Sequence, residues 1–267
     1  MYKKNFIPYS PKICVNHIGN GELLIFLHGI GGNKNNWNDN LNFFSKHYHA
    51  VAWDTRGYGE SDDYEGDLIF DDILEDLKKT ILYFKKPFAN IVGLSMGGQI
   101  ACLFYEKYPQ FVKSLILCDT HFGLGKLPSK EIEKFIKSRK EPLLNGLKPK
   151  DIAENVAESL IGDKSNKVAL DKLIKSISIL HKESYLKTIE TSFKTSHDHI
   201  FKKINVPTLI LVGKLDTLTP PKMALKIKKA IKNSQLSIID NAGHLINIEK
   251  PKIFNETVFN FLKKLTL

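Results

Sequence analysis

The stretch Gly93–Gly97, with the sequence GLSMG, follows a short apolar run and precedes a helical pattern that begins at the next residue. A strand must therefore turn into a helix within a few residues, and glycine at Gly93 and Gly97 avoids a collision between side chains there. The turn exposes the hydroxyl of Ser95 at the edge of the predicted sheet. It also places the backbone N–H of Met96 at a helix N-terminus, where it can donate to a developing oxyanion. The pattern predicts that Ser95 is a nucleophile and that Met96 supplies an oxyanion donor.

The partners that a catalytic serine needs follow later in the chain. A serine hydroxyl is a weak nucleophile at neutral pH, so it requires a histidine base and a carboxylate that orients the histidine. Asp216 comes directly after a strand predicted over 206–212, and His244 lies on the loop after a strand predicted over 235–239. We therefore predict a catalytic triad of Ser95, Asp216 and His244.

Asp119 is an alternative candidate for the acid. It follows a strand predicted over 114–118, so it also reaches the end of a strand. Asp216 is favoured because its loop leads to Pro220 and Pro221, which are suited to starting the next helix. The sequence leaves both acids open, with Asp216 preferred.

A second oxyanion donor is predicted on the loop HGIGG at 28–32, which follows the apolar strand Leu23–Leu27. Its glycines allow the backbone to approach a substrate carbonyl closely. The N–H of Ile30 is the predicted donor. His28 is interpreted as a residue that hydrogen-bonds the loop, in preference to a ligand or a second base.

These motifs together resemble those of the α/β-hydrolase fold family, and the resemblance covers nearly the whole chain. The motif-bearing segments are 28–31, 54–61, 93–97, 213–216 and 243–244. The resemblance implies an α/β fold with a mostly parallel, doubly wound sheet and an inserted helical cap. It also implies that Ser95, Asp216 and His244 act in the family's chain order, and that hydrolysis needs neither metal nor organic cofactor.

The alternation of strands and helices supports this fold class and locates the cap. Apolar residues recur at helical spacing over 68–84, as expected for a helix that covers a parallel sheet. The alternation stops after residue 120 and resumes at residue 204. We therefore predict a hydrolase core formed by 1–120 and 204–267, and a helical cap formed by 121–203.

The cap is expected to supply the substrate pocket. Five apolar or aromatic residues are predicted to line it: Phe122, Leu143, Leu144, Ile161 and Tyr185. Arg139 is interpreted as a solvated helix end in preference to a clamp for a substrate carboxylate. Asp54 and Arg56 are expected to pair with each other within their turn.

Composition restricts the class of protein. The 267 residues, 42% of them hydrophobic, suit one domain with a substantial core, and the formal charge of +10 arises almost entirely from scattered lysines. A solvated lysine-rich surface is favoured over a nucleic-acid site. We expect a cytoplasmic protein with no signal peptide and no membrane span. Its three cysteines are expected to be reduced packing residues, and no histidine cluster has metal-ligand spacing. The oligomeric state is not predicted.

The predicted activity is cleavage of a small-molecule ester or lactone. Segments 93–98, 115–119 and 239–249 resemble 3-oxoadipate enol-lactonases, and the same motifs occur in carboxylesterases of this fold. Carbon-carbon bond hydrolases and cofactor-free haloperoxidase-like esterases share the triad, so they remain alternatives. Serine at position 95 disfavours a haloalkane dehalogenase, which would carry aspartate there. A non-catalytic alternative is a ligand-binding receptor on the same fold.

Overall fold

A computed structural model of the chain describes residues 2–121, 129–194 and 197–265. Among these residues, eight strands form one sheet in the order β1-β2-β4-β3-β5-β6-β7-β8. The strands are β1 (Lys3–Ile7), β2 (Ile13–Ile18), β3 (Leu23–Leu27), β4 (His49–Trp53), β5 (Ala89–Leu94), β6 (Val112–Cys118), β7 (Thr208–Gly213) and β8 (Ser234–Ile239). β1 pairs with β2 and β2 with β4 in antiparallel fashion, and the remaining pairs are parallel.

Ten α-helices occur in the described residues. They are α1 (Asn38–Phe44), α2 (Phe70–Tyr83), α3 (Met96–Lys107), α4 (Ser129–Leu144), α5 (Pro149–Leu160), α6 (Lys167–Ser178), α7 (Lys182–Lys194), α8 (Pro221–Ala230), α9 (Ile246–Glu249) and α10 (Pro251–Lys263). Helices α4 to α7 lie between β6 and β7, where the sequence predicts the cap.

Helices cover both faces of the sheet, because successive side chains along each strand point to opposite faces. On one face, Phe26 and Val92 pack in a cluster with Phe254 of α10. On the other face, Ile25 and Ile91 pack in a second cluster with residues of α2, α3 and α8. This two-sided burial explains why the central strands are apolar along their whole length. The predicted doubly wound α/β fold is confirmed.

The first strand was not predicted from the sequence. β1 has the sequence KKNFI, and only Ile7 in it is buried. An edge strand with charged residues and one buried side chain has neither the alternation nor the apolar run by which strands are recognised. Its pairing with β2 therefore depends on the tertiary structure. The strands predicted over 23–27, 114–118, 206–212 and 235–239 match the observed β3, β6, β7 and β8 to within about two residues.

Helix ends in the inserted segment also differ from the prediction. Within the cap, the sequence pattern predicts helices over 129–138 and 164–180; the first of them extends to Leu144 and includes Pro142. The helix predicted over 164–180 is shorter, spanning Lys167–Ser178 after an N-cap at Asn166, whose side chain accepts from the N–H of Ala169. None of the described helices is both long and apolar enough to span a membrane.

Candidate active site

The residues predicted to act together meet at the carboxyl edge of the parallel strands. Ser95 follows β5, Ile30 follows β3, Asp216 follows β7 and His244 follows β8. Adjacent parallel strands end at the same edge, so residues far apart in sequence become neighbours there. The fold thus brings the predicted nucleophile, base, acid and oxyanion loop to one place.

Ser95 occupies a strained turn between β5 and α3. Its φ of +53° lies in a region that non-glycine residues rarely adopt. A Cβ atom at Gly93 would lie 2.3 Å from the Gly97 carbonyl oxygen, and one at Gly97 would lie 2.2 Å from the Leu27 carbonyl oxygen. Both glycines are therefore required by close backbone approach. Met96 is the first residue of α3, and its N–H makes no backbone hydrogen bond among the described residues.

The loop after β3 brings a second free N–H to the site. The Ile30 N–H makes no backbone hydrogen bond among the described residues, and Ile30 lines the same cavity as Ser95. His28 holds the loop in place: its Nε2 accepts from the N–H of Thr55 at 3.1 Å, and its Nδ1 lies 2.8 Å from the Gly29 carbonyl oxygen. The neutral ring with a proton on Nδ1 satisfies both contacts. These contacts support the conformational interpretation of His28.

Asp216 and His244 are directly hydrogen-bonded. His244 Nδ1 lies 2.8 Å from Asp216 Oδ2, and both side chains are buried. The other carboxylate oxygen accepts from the N–H groups of Leu218 and Thr219 at 2.8 and 3.0 Å. Burial alone would raise the pKa of Asp216, but the charge of His244 and hydrogen bonds from His244 and Thr219 outweigh it and hold this pKa below its ordinary value. A carboxylate that stays ionised can orient the ring and stabilise an imidazolium.

Asp119, the alternative acid, makes different contacts. It lies at the end of β6 with φ of +41°, and its Oδ1 accepts from the N–H of Gly213 at 2.8 Å. Its Oδ2 is buried without a hydrogen-bond partner among the described residues. Burial, together with the charge of Asp216, raises the pKa of Asp119 well above its ordinary value. The geometry places His244 on Asp216 and not on Asp119.

Ser95 and His244 face a cavity with two lobes. The loop lobe is lined by residues 28–32 together with side chains such as Trp37 and Leu94. The cap lobe is lined mainly by side chains of α4, α5 and α7. Ile30, Ser95, Leu160 and His244 line both lobes. The predicted nucleophile and base thus border both lobes.

The Ser95 hydroxyl and the His244 ring are not hydrogen-bonded to each other in the described part of the chain. Hydrogen bonds of this kind are often long or poorly aligned without substrate and tighten when substrate binds. Ser95 is 7% exposed and His244 is 4% exposed, so both are shielded from bulk water. Both groups thus face one cavity with little access to bulk water.

The structure distributes the predicted pocket residues unevenly. Tyr185 lines the cap lobe. Leu144 does not, and that prediction was wrong: its side chain is 64% exposed, because it lies at the end of α4 and points away from the packed side. Leu143 and Ile161 are buried in the apolar core and lie outside the lining of the two lobes. Phe122 falls outside the described residues.

Leu160 and Arg139 also line the cap lobe, and neither was among the pocket residues predicted from the sequence. Leu160 is the neighbour of the predicted Ile161, so the prediction was displaced by one residue. Arg139 could have been found from its helix, since it lies four residues after Phe135 and therefore on the same face. Phe135 also lines the cap lobe.

The expected pairing of Asp54 with Arg56 was wrong. Asp54 instead accepts from the buried ammonium of Lys34 at 2.6 Å and from the Lys34 N–H at 2.7 Å. Arg56 binds Asp76 through Nε and Nη2 at 2.7 and 3.0 Å, and its Nη1 donates to Asp72. Both acids lie on α2, which is a separate element later in the sequence than the turn. These ion pairs hold the turn against the segment that follows the oxyanion loop on one side and against α2 on the other.

Glu249 is another residue whose role the motifs did not indicate. Its Oε1 accepts from the N–H of Gly243, and its Oε2 from the N–H of Gly162, both at 2.9 Å. The His244 N–H in turn donates to the Leu160 carbonyl oxygen at 2.9 Å. The loop that carries His244 is therefore tied to the end of α5. We therefore expect Glu249 to act through this loop, as a positioning residue.

Comparison with known proteins places these features in a family. The model of a family described as alpha/beta hydrolase fold matches residues 22–251. The chain is 29% identical to monoacylglycerol lipase ABHD6 of Homo sapiens over 91% of its own length and 76% of that protein. It is 24% identical to 3-oxoadipate enol-lactonase 2 of Acinetobacter baylyi over 90% of its own length and 88% of that protein.

Solved structures agree in fold. A thermophilic esterase from Thermogutta terrifontis superposes with a TM-score of 0.87 at 24% sequence identity, covering 99% of each chain. At this identity the likeness supports the fold and leaves the substrate open.

Proposed function

The chain belongs to the alpha/beta hydrolase fold family, and from this premise we propose that it is a serine hydrolase that cleaves a carboxylic ester or lactone of a small molecule. The observation that carries the proposal is the Asp216–His244 hydrogen bond at the cavity into which Ser95 projects. The relatives named above are a lipase and an enol-lactonase, which supports the bond type. The names of these relatives do not select the substrate.

In the proposed acylation step, His244 takes the hydroxyl proton of Ser95 while Ser95 Oγ attacks the acyl carbon. Asp216 keeps the ring oriented, since its Oδ2 accepts from Nδ1 and thereby leaves Nε2 as the base. The carbonyl oxygen becomes an oxyanion, which accepts from the N–H groups of Ile30 and Met96. His244 then donates its proton to the leaving alcohol, and an acyl-enzyme remains.

Deacylation repeats the sequence with water. His244 removes a proton from water, the hydroxide attacks the acyl carbon, and the proton passes to Ser95 Oγ as the acid leaves. A lactone follows the same two steps, except that the leaving hydroxyl stays attached to the product. We also propose that residues 121–203 form the cap, so that α4, α5 and α7 close the site over the bound substrate.

Ser95→Ala tests the proposed nucleophile. Hydrolysis of p-nitrophenyl esters of graded chain length should fall by about a thousandfold or more, because covalent catalysis is lost. Ser138→Ala, an exposed serine on α4, is the matched control and should retain wild-type rates. Ser95-independent turnover would contradict the mechanism.

A covalent probe tests the same residue without assuming a substrate. A fluorophosphonate should add once to the wild-type chain, on Ser95, and not to Ser95→Ala, as measured by intact-protein and peptide mass spectrometry. Lactones and 3-oxoadipate enol-lactone belong in the turnover assay beside the esters. If Ser95 is labelled but no ester or lactone is turned over, the receptor hypothesis gains support over the enzyme.

A further inference from the structure

One of the two arginines of this lysine-rich chain faces the candidate active site. Arg139, on α4, lines the cap lobe together with Ser95 and His244. The other arginine, Arg56, is neutralised by Asp72 and Asp76. The cap lobe has no aspartate or glutamate in its described lining. Arg139 is therefore the permanent charge of this lobe, within the residues described.

The contacts of Arg139 hold its guanidinium without neutralising it. Its Nη2 donates to Ser159 Oγ at 2.6 Å, and its Cζ lies 5.0 Å from the centre of the Phe135 ring. Ser159 Oγ donates to the Val156 carbonyl oxygen at 2.7 Å, so this acceptor is itself fixed on α5. A guanidinium has five N–H donors, and the hydrogen bond to Ser159 uses one. The remaining donors are available to a ligand.

Three glutamates of the inserted helices are paired with lysines and not with Arg139. Glu141 pairs with Lys137, Glu158 with Lys164, and Glu190 with Lys140. Arg139 forms no ion pair with a described residue. A cation that is half-buried without a counter-ion pays a desolvation cost, and a ligand anion would offset it.

Tyr185 supplies a neutral donor beside this cation. Its side chain is buried and lines the cap lobe together with Arg139. Burial raises the pKa of Tyr185 to about 12, so the phenol keeps its proton and can donate it. Burial also lowers the pKa of Arg139 from its ordinary value, yet a guanidinium remains charged at neutral pH.

We propose that the cap lobe recognises a carboxylate on the substrate, bound by the guanidinium of Arg139 and the hydroxyl of Tyr185. The proposal rests on the proposed function, because it names the substrate class of that same site: esters or lactones that carry a free carboxylate away from the scissile bond. The apolar side chains of the lobe would then contact the hydrocarbon between the two groups.

The donor set favours a carboxylate over a phosphate. A carboxylate has one negative charge and two oxygens in a plane, which match the planar fork of a single arginine. A phosphate monoester has nearly two charges and three oxygens, and it is better matched by several cations or a row of backbone N–H groups. The described lining of the cap lobe offers one permanent cation.

The test compares carboxylate-bearing esters with neutral ones on the wild type and on Arg139→Met. One pair of substrates carries the carboxylate on the acyl side: mono-p-nitrophenyl esters of dicarboxylic acids from succinate to suberate, against neutral p-nitrophenyl esters of the same length. The other pair carries it on the alcohol side: p-carboxyphenyl butyrate against its methyl ester. In at least one pair, Arg139→Met should lower kcat/KM for the charged ester by about tenfold to a hundredfold and change the neutral ester less than about twofold.

Lys137→Met is the matched control, because it removes one positive charge from the exposed side of the same helix. It should leave the preference for charged esters unchanged, which separates contact at the site from net charge. Arg139→Lys should retain part of the preference, since it keeps the charge and loses the fork. Thermal unfolding of each variant checks that the fold is intact.

Two outcomes separate this inference from the proposed function. If Ser95-dependent hydrolysis is present but Arg139→Met changes charged and neutral esters equally in both pairs, the carboxylate site is refuted and the hydrolase remains. If no ester is hydrolysed, thermal stabilisation of Ser95→Ala by glutarate or adipate still tests the site. Stabilisation that is lost on adding Arg139→Met supports it, and equal stabilisation or none in both proteins refutes it.

Discussion

Ser95 combines three properties that its residue type alone does not give. Its backbone has φ of +53°, its side chain reaches a cavity, and the next N–H lies at the start of α3 without a backbone acceptor. A strained conformation of this kind persists only where its surroundings enforce it. Here Gly93 and Gly97 do so by allowing backbone contacts that a side chain would prevent.

The identity of the acid can be tested by isosteric substitutions. Asp216→Asn should lower kcat by about a thousandfold or more, because an amide in this position no longer favours the proton on Nδ1 of His244. Asp119→Asn should lower kcat less than about tenfold, since Asp119 binds the Gly213 N–H and not the histidine. Steady-state kinetics on one p-nitrophenyl ester gives both values. The opposite ranking of the two variants would assign the acid to Asp119.

Among the elements, the end of α5 and the loop after β8 behave as one unit. Glu249 accepts from Gly162 on one segment and Gly243 on the other, and the His244 N–H reaches back to Leu160. Burial raises the pKa of Glu249, while the backbone N–H donors oppose this. The inserted helices are thus connected to the base of the proposed triad through the backbone.

Glu249→Ala should weaken this connection. The N–H groups of Gly162 and Gly243 would lose their acceptor, which should lower the free energy of unfolding by about 1–3 kcal/mol. The turnover number should fall more than KM changes, because the substitution disturbs the histidine and not the substrate lobes. Denaturant unfolding and ester kinetics measure the two effects. Glu256→Ala, at an exposed site of α10, is the control, and an equal loss of kcat in it would contradict the positioning role.

At the scale of the whole molecule, burial of ionisable groups sets how stability depends on pH. His121 is buried and stacks on Phe193, with the ring centroids 5.5 Å apart. Its Nδ1 lies 3.3 Å from Gln99 Nε2. Burial, with the charge of His244 in addition, lowers the pKa of His121 from 6.5 to about 3. The folded protein keeps this ring neutral where the unfolded chain would protonate it.

Stability should therefore fall as the pH drops below 6.5 toward 3, because the unfolded state binds a proton that the folded state refuses. One such group contributes a slope of about 1.4 kcal/mol per pH unit within this window. His121→Gln should remove that part of the slope, as measured by urea unfolding at a series of pH values. His199→Gln, at an exposed histidine, should leave the slope as in the wild type.

The sequence by itself determined the fold class and the identity of the candidate catalytic residues. The central strands are buried on both faces, so they appear as apolar runs, and each candidate residue directly follows such a run. The elbow is equally local, because its glycines are required within a few residues of Ser95. These features can be predicted without knowing which segments become neighbours.

Tertiary structure decided everything that depends on contacts between distant segments. Four features of this kind depend on contacts between different elements. They are the choice of the acid that contacts His244, the pairing of Arg56 with α2, the hydrogen bond of Glu249 to the end of α5, and the position of Arg139 in the cap lobe. The inserted helices illustrate the reason. All of them are amphipathic with similar spacing, so periodicity identifies a buried face but not whether that face meets the core or a cavity. Leu144 and Arg139 were misassigned for this reason. The order in which helices pack around the edge of the sheet separates a solvated side chain from one that faces the substrate.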